Sequence, residues 1–188
     1  MGNFERMNVK ISGRAKWARW STSFGVIIGL VSILSTNSGA SSQSSIAYFQ
    51  GGTIDLAQGW SSAQICDVTA GGTYCFTSQN EYLTWLDTGP SLSGVISLTN
   101  CSSGLDLYEN IDYGGRELIL SSQSNWINLS NYGFSDIVSS FKVGACSISM
   151  TDGTNGSGSV YPGPTSPGSD VSWIGTTWND RIKSVYIY

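Results

Sequence analysis

The sequence predicts an all-β fold of the stacked-sandwich kind, and three observations carry that expectation. Residues 107–143 (LYENIDYGGRELILSSQSNWINLSNYGFSDIVSSFKV) read as a folded β-hairpin followed by two further strands. The end of this stretch returns about 44 residues later as TTWNDRIKSVYIY, so a strand unit is repeated. Charged residues make up only 12 % of the chain, against 23 glycines and many Ser, Thr and aromatic residues, a composition that favours strands and tight turns over helices.

Each element has a local reason. Residues 47–56 (AYFQGGTIDL) look like a strand, a Gly-Gly turn and a second strand. Residues 65–68 and 73–76 flank the turn Ala70-Gly71-Gly72 as a hairpin. Ser78 and Glu81 have capping-box spacing, and Tyr82, Leu83, Trp85 and Leu86 follow at helical spacing, which predicts one short helix over 79–86, ended by Gly89-Pro90. A short strand is expected over 95–98. Beyond it, strands are expected over 105–109, 116–120, 126–129 and 139–143, with a turn over 110–115. Alternation turns Phe141 and Val143 inward and Lys142 outward, and repeats in Val185 and Ile187 near the end. Residues 152–170 (DGTNGSGSVYPGPTSPGSD) read as an exposed, poorly ordered loop, and 41–45 as a disordered polar stub.

The first 40 residues have the layout of a secretory signal. Five basic side chains precede an apolar run of 11 residues (FGVIIGLVSIL), and Ser38-Gly39-Ala40 offers a cleavage site. The run falls short of the roughly 18–20 residues that span a bilayer. The expected organisation is a signal peptide over 1–40, a β-rich extension over 41–100 and a second domain over 101–188, in a secreted protein with no membrane association after processing. Five of the nine basic and one of the thirteen acidic residues fall in the leader, which leaves 4 basic against 12 acidic, a net charge of −8. That surface repels phosphate backbones and argues against nucleic acid as a partner.

Cys66, Cys75, Cys101 and Cys146 all follow the leader. An even count in an exported chain predicts two disulfides, with three pairings open. The glycine turn favours Cys66 with Cys75, leaving Cys101 with Cys146. Zinc is disfavoured by the spacings and by the absence of histidine from the chain.

The motifs of the repeated unit resemble the βγ-crystallin Greek key. Its aromatic-acidic start, aromatic-x-Gly turn, Trp-containing arm and late Ser correspond here to Tyr108-Glu109, Tyr113-Gly114-Gly115, Trp126 and Ser139-Ser140. In the second unit Trp178-Asn179-Asp180 matches Phe134-Ser135-Asp136, and Ser184 matches Ser140. Its first hairpin reads as replaced by the Gly/Pro loop, because no aromatic-x-Gly turn is present. The resemblance covers about 101–188 and implies a βγ-crystallin-like double Greek-key sandwich behind a β-rich extension containing one short helix. Phe49 to Trp60 faintly echo the same order, read here as strand patterning rather than a third unit.

The resemblance also implies chemistry. Family members often bind calcium through an Asn/Asp-Asn/Asp-x-x-Ser/Thr-Ser stretch, which supplies the oxygens that calcium requires. The first unit reads Ser135-Asp136-Ile137-Val138-Ser139-Ser140. The second reads Asn179-Asp180-Arg181-Ile182-Lys183-Ser184, with Lys183 where a hydroxyl belongs. The residues assigned to one weak calcium site are Asp136, Ile137, Ser139 and Asp180; the bland alternative is that they only fasten turns. No other cofactor is implied. Some secreted bacterial members resemble a metalloproteinase inhibitor, which makes an extracellular peptidase the leading expected partner. Tyr161-Pro162 and the turn between Cys66 and Cys75 are the candidate inhibitory segments. Catalysis is not expected: there is no histidine to act as a base, and no nucleophile elbow or phosphate loop. Five tryptophans of the mature chain could stack on sugars, but Trp126 and Trp178 fall at family packing positions and the set reads mainly as core.

Overall fold

The computed structural model describes residues 44–69, 71–88, 104–121 and 125–188. The leader, the strand expected over 95–98, Gly89-Pro90 and Cys101 lie outside these residues. Among the described residues no helix is long and apolar enough to cross a membrane.

The chain opens with β1 (Ile46–Phe49) and β2 (Gly52–Asp55), joined by Gln50 and Gly51 at φ 49° and 78°. Two left-handed residues in a row give the turn whose twist matches a tight hairpin. The stub before β1 is not loose at its end: Ser45 accepts a backbone hydrogen bond from Leu56 at 2.8 Å. Next come β3 (Ile65–Thr69) and β4 (Gly72–Phe76), stapled by the expected Cys66–Cys75 disulfide. Cys146 is also disulfide-bonded. Helix α1 runs Gln79–Thr88, two residues beyond the expected end. Ser78 Oγ caps the Glu81 N–H at 3.3 Å, while the Glu81 carboxylate reaches back to Thr77 rather than to Ser78, accepting from its N–H and hydroxyl at 2.7 Å each.

Two strand units follow. The first contains β5 (Leu105–Tyr108), β6 (Glu117–Leu120), β7 (Ile127–Asn128) and β8 (Ser140–Val143). The second contains β9 (Ile148–Thr151), β10 (Asp170–Val171) and β11 (Ser184–Ile187). The sheet orders are β10-β8-β5-β6-β3-β4-β1-β2 and β7-β11-β9. One strand of each unit has therefore crossed over. β7 pairs with β11 of the second unit, and β10 pairs with β8 of the first. Each unit's strands are completed by the other's, which makes this a crystallin-like double Greek key.

Alternation places the core between the sheets. Leu105, Leu107, Leu118, Leu120, Phe141 and Val143 face Ile127, Ile148, Met150, Val185 and Ile187, all buried. Each such side chain contributes roughly 1.5–3 kcal/mol by leaving water. The β-rich extension joins the same core through Ala47, Phe49, Cys66 and Val68. It also lengthens the larger sheet, because β3 lies parallel to β6 with Cys66 level with Leu118.

The second unit corrects the sequence reading. Its corner is intact. Residues 154–156 form the same short 3-10 turn as 111–113, with Asn155 at φ 52° where Asp112 has 55°. Gly156 stands where the first unit has Tyr113, and Gly158 (φ 80°) where it has Gly115 (φ 76°). Only the covering aromatic is missing, and Trp126 of the first unit takes its place: a Cβ on Gly156 would overlap the Trp126 ring. The expected loose loop is likewise tied down. Tyr161 N–H donates to Met150 O at 2.9 Å, Ile148 N–H to Thr165 O at 3.0 Å, and Gly168 N–H to Val143 O at 3.0 Å.

Candidate metal centre

The acidic residue at the end of each unit's first strand pins its corner. Glu109 accepts from the Arg116 N–H at 3.3 Å, and Asp152 from the Ser159 N–H at 2.6 Å. The late serines do the rest. Ser140 Oγ donates to Asn110 O and accepts from the Tyr113 N–H, while Ser184 Oγ donates to Gly153 O and accepts from the Gly156 N–H. Between the corners, the stretches holding Asp136 and Asp180 lie side by side about a pseudo-twofold axis. Asp136 N–H donates to Ile182 O at 3.0 Å, and Asp180 N–H to Val138 O at 3.1 Å. Both aspartates take the left-handed conformation, at φ 61° and 57°. A short polar side chain tolerates that region better than most.

This arrangement opens one cleft. Asp136, Ile137 and Ser139 line one wall, Asn179 and Asp180 the other, and Glu109, Asn110 and Ile111 of the first corner close it. All four residues assigned from sequence thus meet at one place. The corner residues Glu109 and Asn110 were missed as cleft residues; the Tyr108-Glu109 pair was their only local signal.

The two halves of the axis differ in charge. In the second half, Lys183 Nζ lies 3.8 Å from Asp136 Oδ1, and the Arg181 guanidinium 2.6 Å from Asp152 Oδ2. Asp152 is held below the usual carboxylate range, first by the Ser159 N–H and then by Arg181. The equivalent positions in the first half are Ser139 and Ile137, which bring a hydroxyl and a backbone carbonyl where the second half brings two cations. Asp180 stands there as Asp136 does opposite Lys183, and its carboxylate accepts from the Asn179 amide at 2.7 Å. The Glu109 carboxylate belongs to the corner: its bonds to Arg116 hold it below its ordinary value.

An oxygen-only donor set of carboxylate, hydroxyl and carbonyl suits a hard cation such as calcium. The first half, with Asp180, Ser139 and Ile137 on the cleft, offers donors of this kind. The second half does not fit one, since its own cations stand in the way. Among the described residues there is no group of three or more His, Cys, Asp or Glu side chains that could hold a metal.

The other sequence-assigned positions fall elsewhere. Tyr161 is no exposed recognition residue: it is 7 % exposed and its ring meets Phe141 and Trp178 edge-on at 5.7 and 5.6 Å. Its neighbour Pro162 is exposed. Trp60 is buried and Trp178 packs against the core, whereas Trp173 is 55 % exposed.

No family model and no curated protein matches the chain. Solved structures do. A βγ-crystallin from Ciona intestinalis is 28 % identical, with a TM-score of 0.38 over 45 % of this chain and 98 % of that one. A βγ-crystallin domain from Clostridium beijerinckii is 29 % identical, with a TM-score of 0.39 over 45 % of this chain and 97 % of that one. One from Flavobacterium johnsoniae is 25 % identical, with a TM-score of 0.38 over 45 % and 92 %.

Proposed function

We propose that this chain is an exported, non-enzymatic structural module that takes one calcium ion weakly in its first half and carries built-in cations in its second. The reading rests on one observation: Lys183 and Arg181 sit against Asp136 and Asp152, while the equivalent half, with Asp180, Ser139 and Ile137, offers oxygen donors alone. The ion would tie the two Asp-bearing stretches together, and so stabilise the contact between units. The basic leader, the apolar run and the disulfides support export. The test is thermal unfolding in millimolar calcium against chelator. At ten times its Kd, an ion bound only by the folded state adds about 1.4 kcal/mol, or a few degrees in melting temperature. An unchanged melting temperature removes the reading.

A second reading, inhibition of an extracellular peptidase, is favoured by the stapled hairpin. The Cys66–Cys75 bond joins directly paired residues of β3 and β4, a few residues from the turn, where Thr69 Oγ1 bonds Gly72 O at 2.9 Å and accepts from the Gly71 N–H at 3.2 Å. A hairpin whose strands are stapled in this way loses little entropy on docking. A panel of secreted metallo- and serine peptidases tests it; full activity of all of them at micromolar protein rejects it.

A further inference from the structure

The outer face of the eight-stranded sheet carries polar side chains that the cation site does not use. Strand register places Asp67 level with Ile119, Ile119 opposite Asp106, Asp106 opposite Lys142, and Lys142 opposite Asp170. Glu117 lies on the same face, two residues along β6 from Ile119. Asp67 is only 7 % exposed although it points away from the core, and α1 lies over it. The Tyr82 hydroxyl donates to Asp67 Oδ2 at 3.1 Å, and Trp85 rests on Tyr74 and Phe76 at 5.1 and 5.3 Å. No residue of α1 is itself buried, and among the described residues ring contacts and the Tyr82 bond hold this helix of 10 residues to the sheet. An element held so lightly opens at low cost compared with the whole domain.

We propose that Asp67 and Tyr82 form a proton-operated latch, with α1 seated on the sheet while Asp67 is protonated and lifting away when Asp67 ionises. A carboxylate under a helix loses its water, and a neutral carboxyl still accepts the Tyr82 bond at a much smaller desolvation cost. The surroundings add to this. The groups facing Asp67 are Tyr82 from α1, Tyr74 paired with it on β4, Glu117 from β6, Asp106 from β5 and, further along the row, Lys142 and Asp170. Lys142 is the one cation among them. Burial is the main reason Asp67 is pushed up to about 6; the Tyr82 bond opposes the shift and Glu117 adds to it. Lifting α1 returns water to Asp67 and lets it fall back toward 3.8. The seated form therefore binds the proton more tightly. Seating is strongest in acid and weakens as pH rises through about 6. Lifting would uncover Tyr74 and Phe76, an aromatic surface presented only at neutral pH.

Hydrogen exchange of the full chain between pH 4.5 and 8 tests the latch, with rates corrected for the intrinsic pH dependence. Protection of residues 79–88 should fall at least tenfold further than that of the β5 and β8 amides, the fall levelling off above about 6. Asp67→Asn should hold α1 seated across the range. Equal protection of residues 79–88 at pH 5 and 7.5, or a loss beyond that of the β5 and β8 amides that persists in D67N, overturns the proposal. Should D67N fail to fold, the carboxyl carbon-13 titration of Asp67 in the unaltered protein decides. An Asp67 that titrates near its ordinary value of 3.8 while residues 79–88 stay protected also overturns it.

Discussion

Ser140 and Ser184 hold the two folded corners with the same pair of bonds. Ser140 Oγ donates to Asn110 O at 2.6 Å and accepts from the Tyr113 N–H at 3.1 Å; Ser184 Oγ donates to Gly153 O at 2.7 Å and accepts from the Gly156 N–H at 2.9 Å. Both serines are fully buried, so each hydroxyl replaces water for two backbone groups at once.

Removing either hydroxyl strands those groups. Ser140→Ala should cost about 1–3 kcal/mol. Ser184→Ala should cost more, because Ser184 also shares a buried hydrogen bond with Thr151 Oγ1 at 2.8 Å. Denaturant unfolding of the two variants gives the comparison. Equal or reversed losses would show that the Thr151 bond adds nothing to the second corner.

The cations of the second half should be exchangeable for calcium. Lys183→Ser restores a hydroxyl opposite Asp136, and adding Arg181→Ser frees Asp152. Titration calorimetry should then count two ions against one for the unaltered chain, and Asp180→Ala in that background should return the count to one. A count that does not rise in K183S/R181S shows that charge alone was not what closed the second half.

The first unit was legible because its determinants are local. Tyr108-Glu109, the glycine turn and the alternation around Phe141 each act within a few residues of themselves. The second unit was hidden because its corner needs only backbone conformation, which Asn155 and Gly156 supply, while the ring that covers it comes from Trp126, 30 positions earlier in the chain. The pairing of β3 with β6 was equally silent: parallel neighbours far apart in sequence leave no turn between them to read. At the cleft, Asp136, Ile137, Ser139 and Asp180 lay in recognisable stretches. Glu109 and Asn110 joined them only because the corner folds over, and the contact of Lys183 with Asp136 follows from the pseudo-twofold axis rather than from spacing.

The pH dependence of global stability should run opposite to that of a domain held by ionised carboxylates. Asp106 is pushed up to about 6, chiefly by burial and next by Glu117, with Lys142 opposing; Glu117 is raised as well. Between about 4 and 6 the folded state holds more protons than the unfolded chain, so unfolding free energy falls as pH rises. The stability is full below the unfolded value and is lost as pH climbs through about 6. Asp106→Asn should flatten this slope and add about 1–2 kcal/mol at pH 8, the lost attraction to Lys142 setting the lower figure. Urea unfolding at pH 5 and pH 8 checks it. A wild-type domain more stable at pH 8 would mean that these carboxylates are better solvated than their burial implies.

The join between the extension and the first unit depends on Gly133. Its φ is +61°, and a Cβ there would overlap the carbonyl oxygen of Leu56. The same approach lets Trp60 Nε1 donate to Tyr132 O at 2.6 Å, with the Trp60 ring 5.4 Å from Phe134 and under the Arg116 guanidinium. Gly133→Ala combines backbone strain with a clash against main chain, which cannot rotate aside, and should cost about 2–4 kcal/mol. Because Trp60 is buried and its bond depends on this contact, the loss should be accompanied by a red shift in tryptophan emission before global unfolding. Phe134→Leu, which thins the packing without moving the backbone, should cost less and leave the emission nearly in place. If G133A unfolds in a single step with native-like emission up to that point, the extension and the first unit are one cooperative body, and the Leu56 contact is no separate seam.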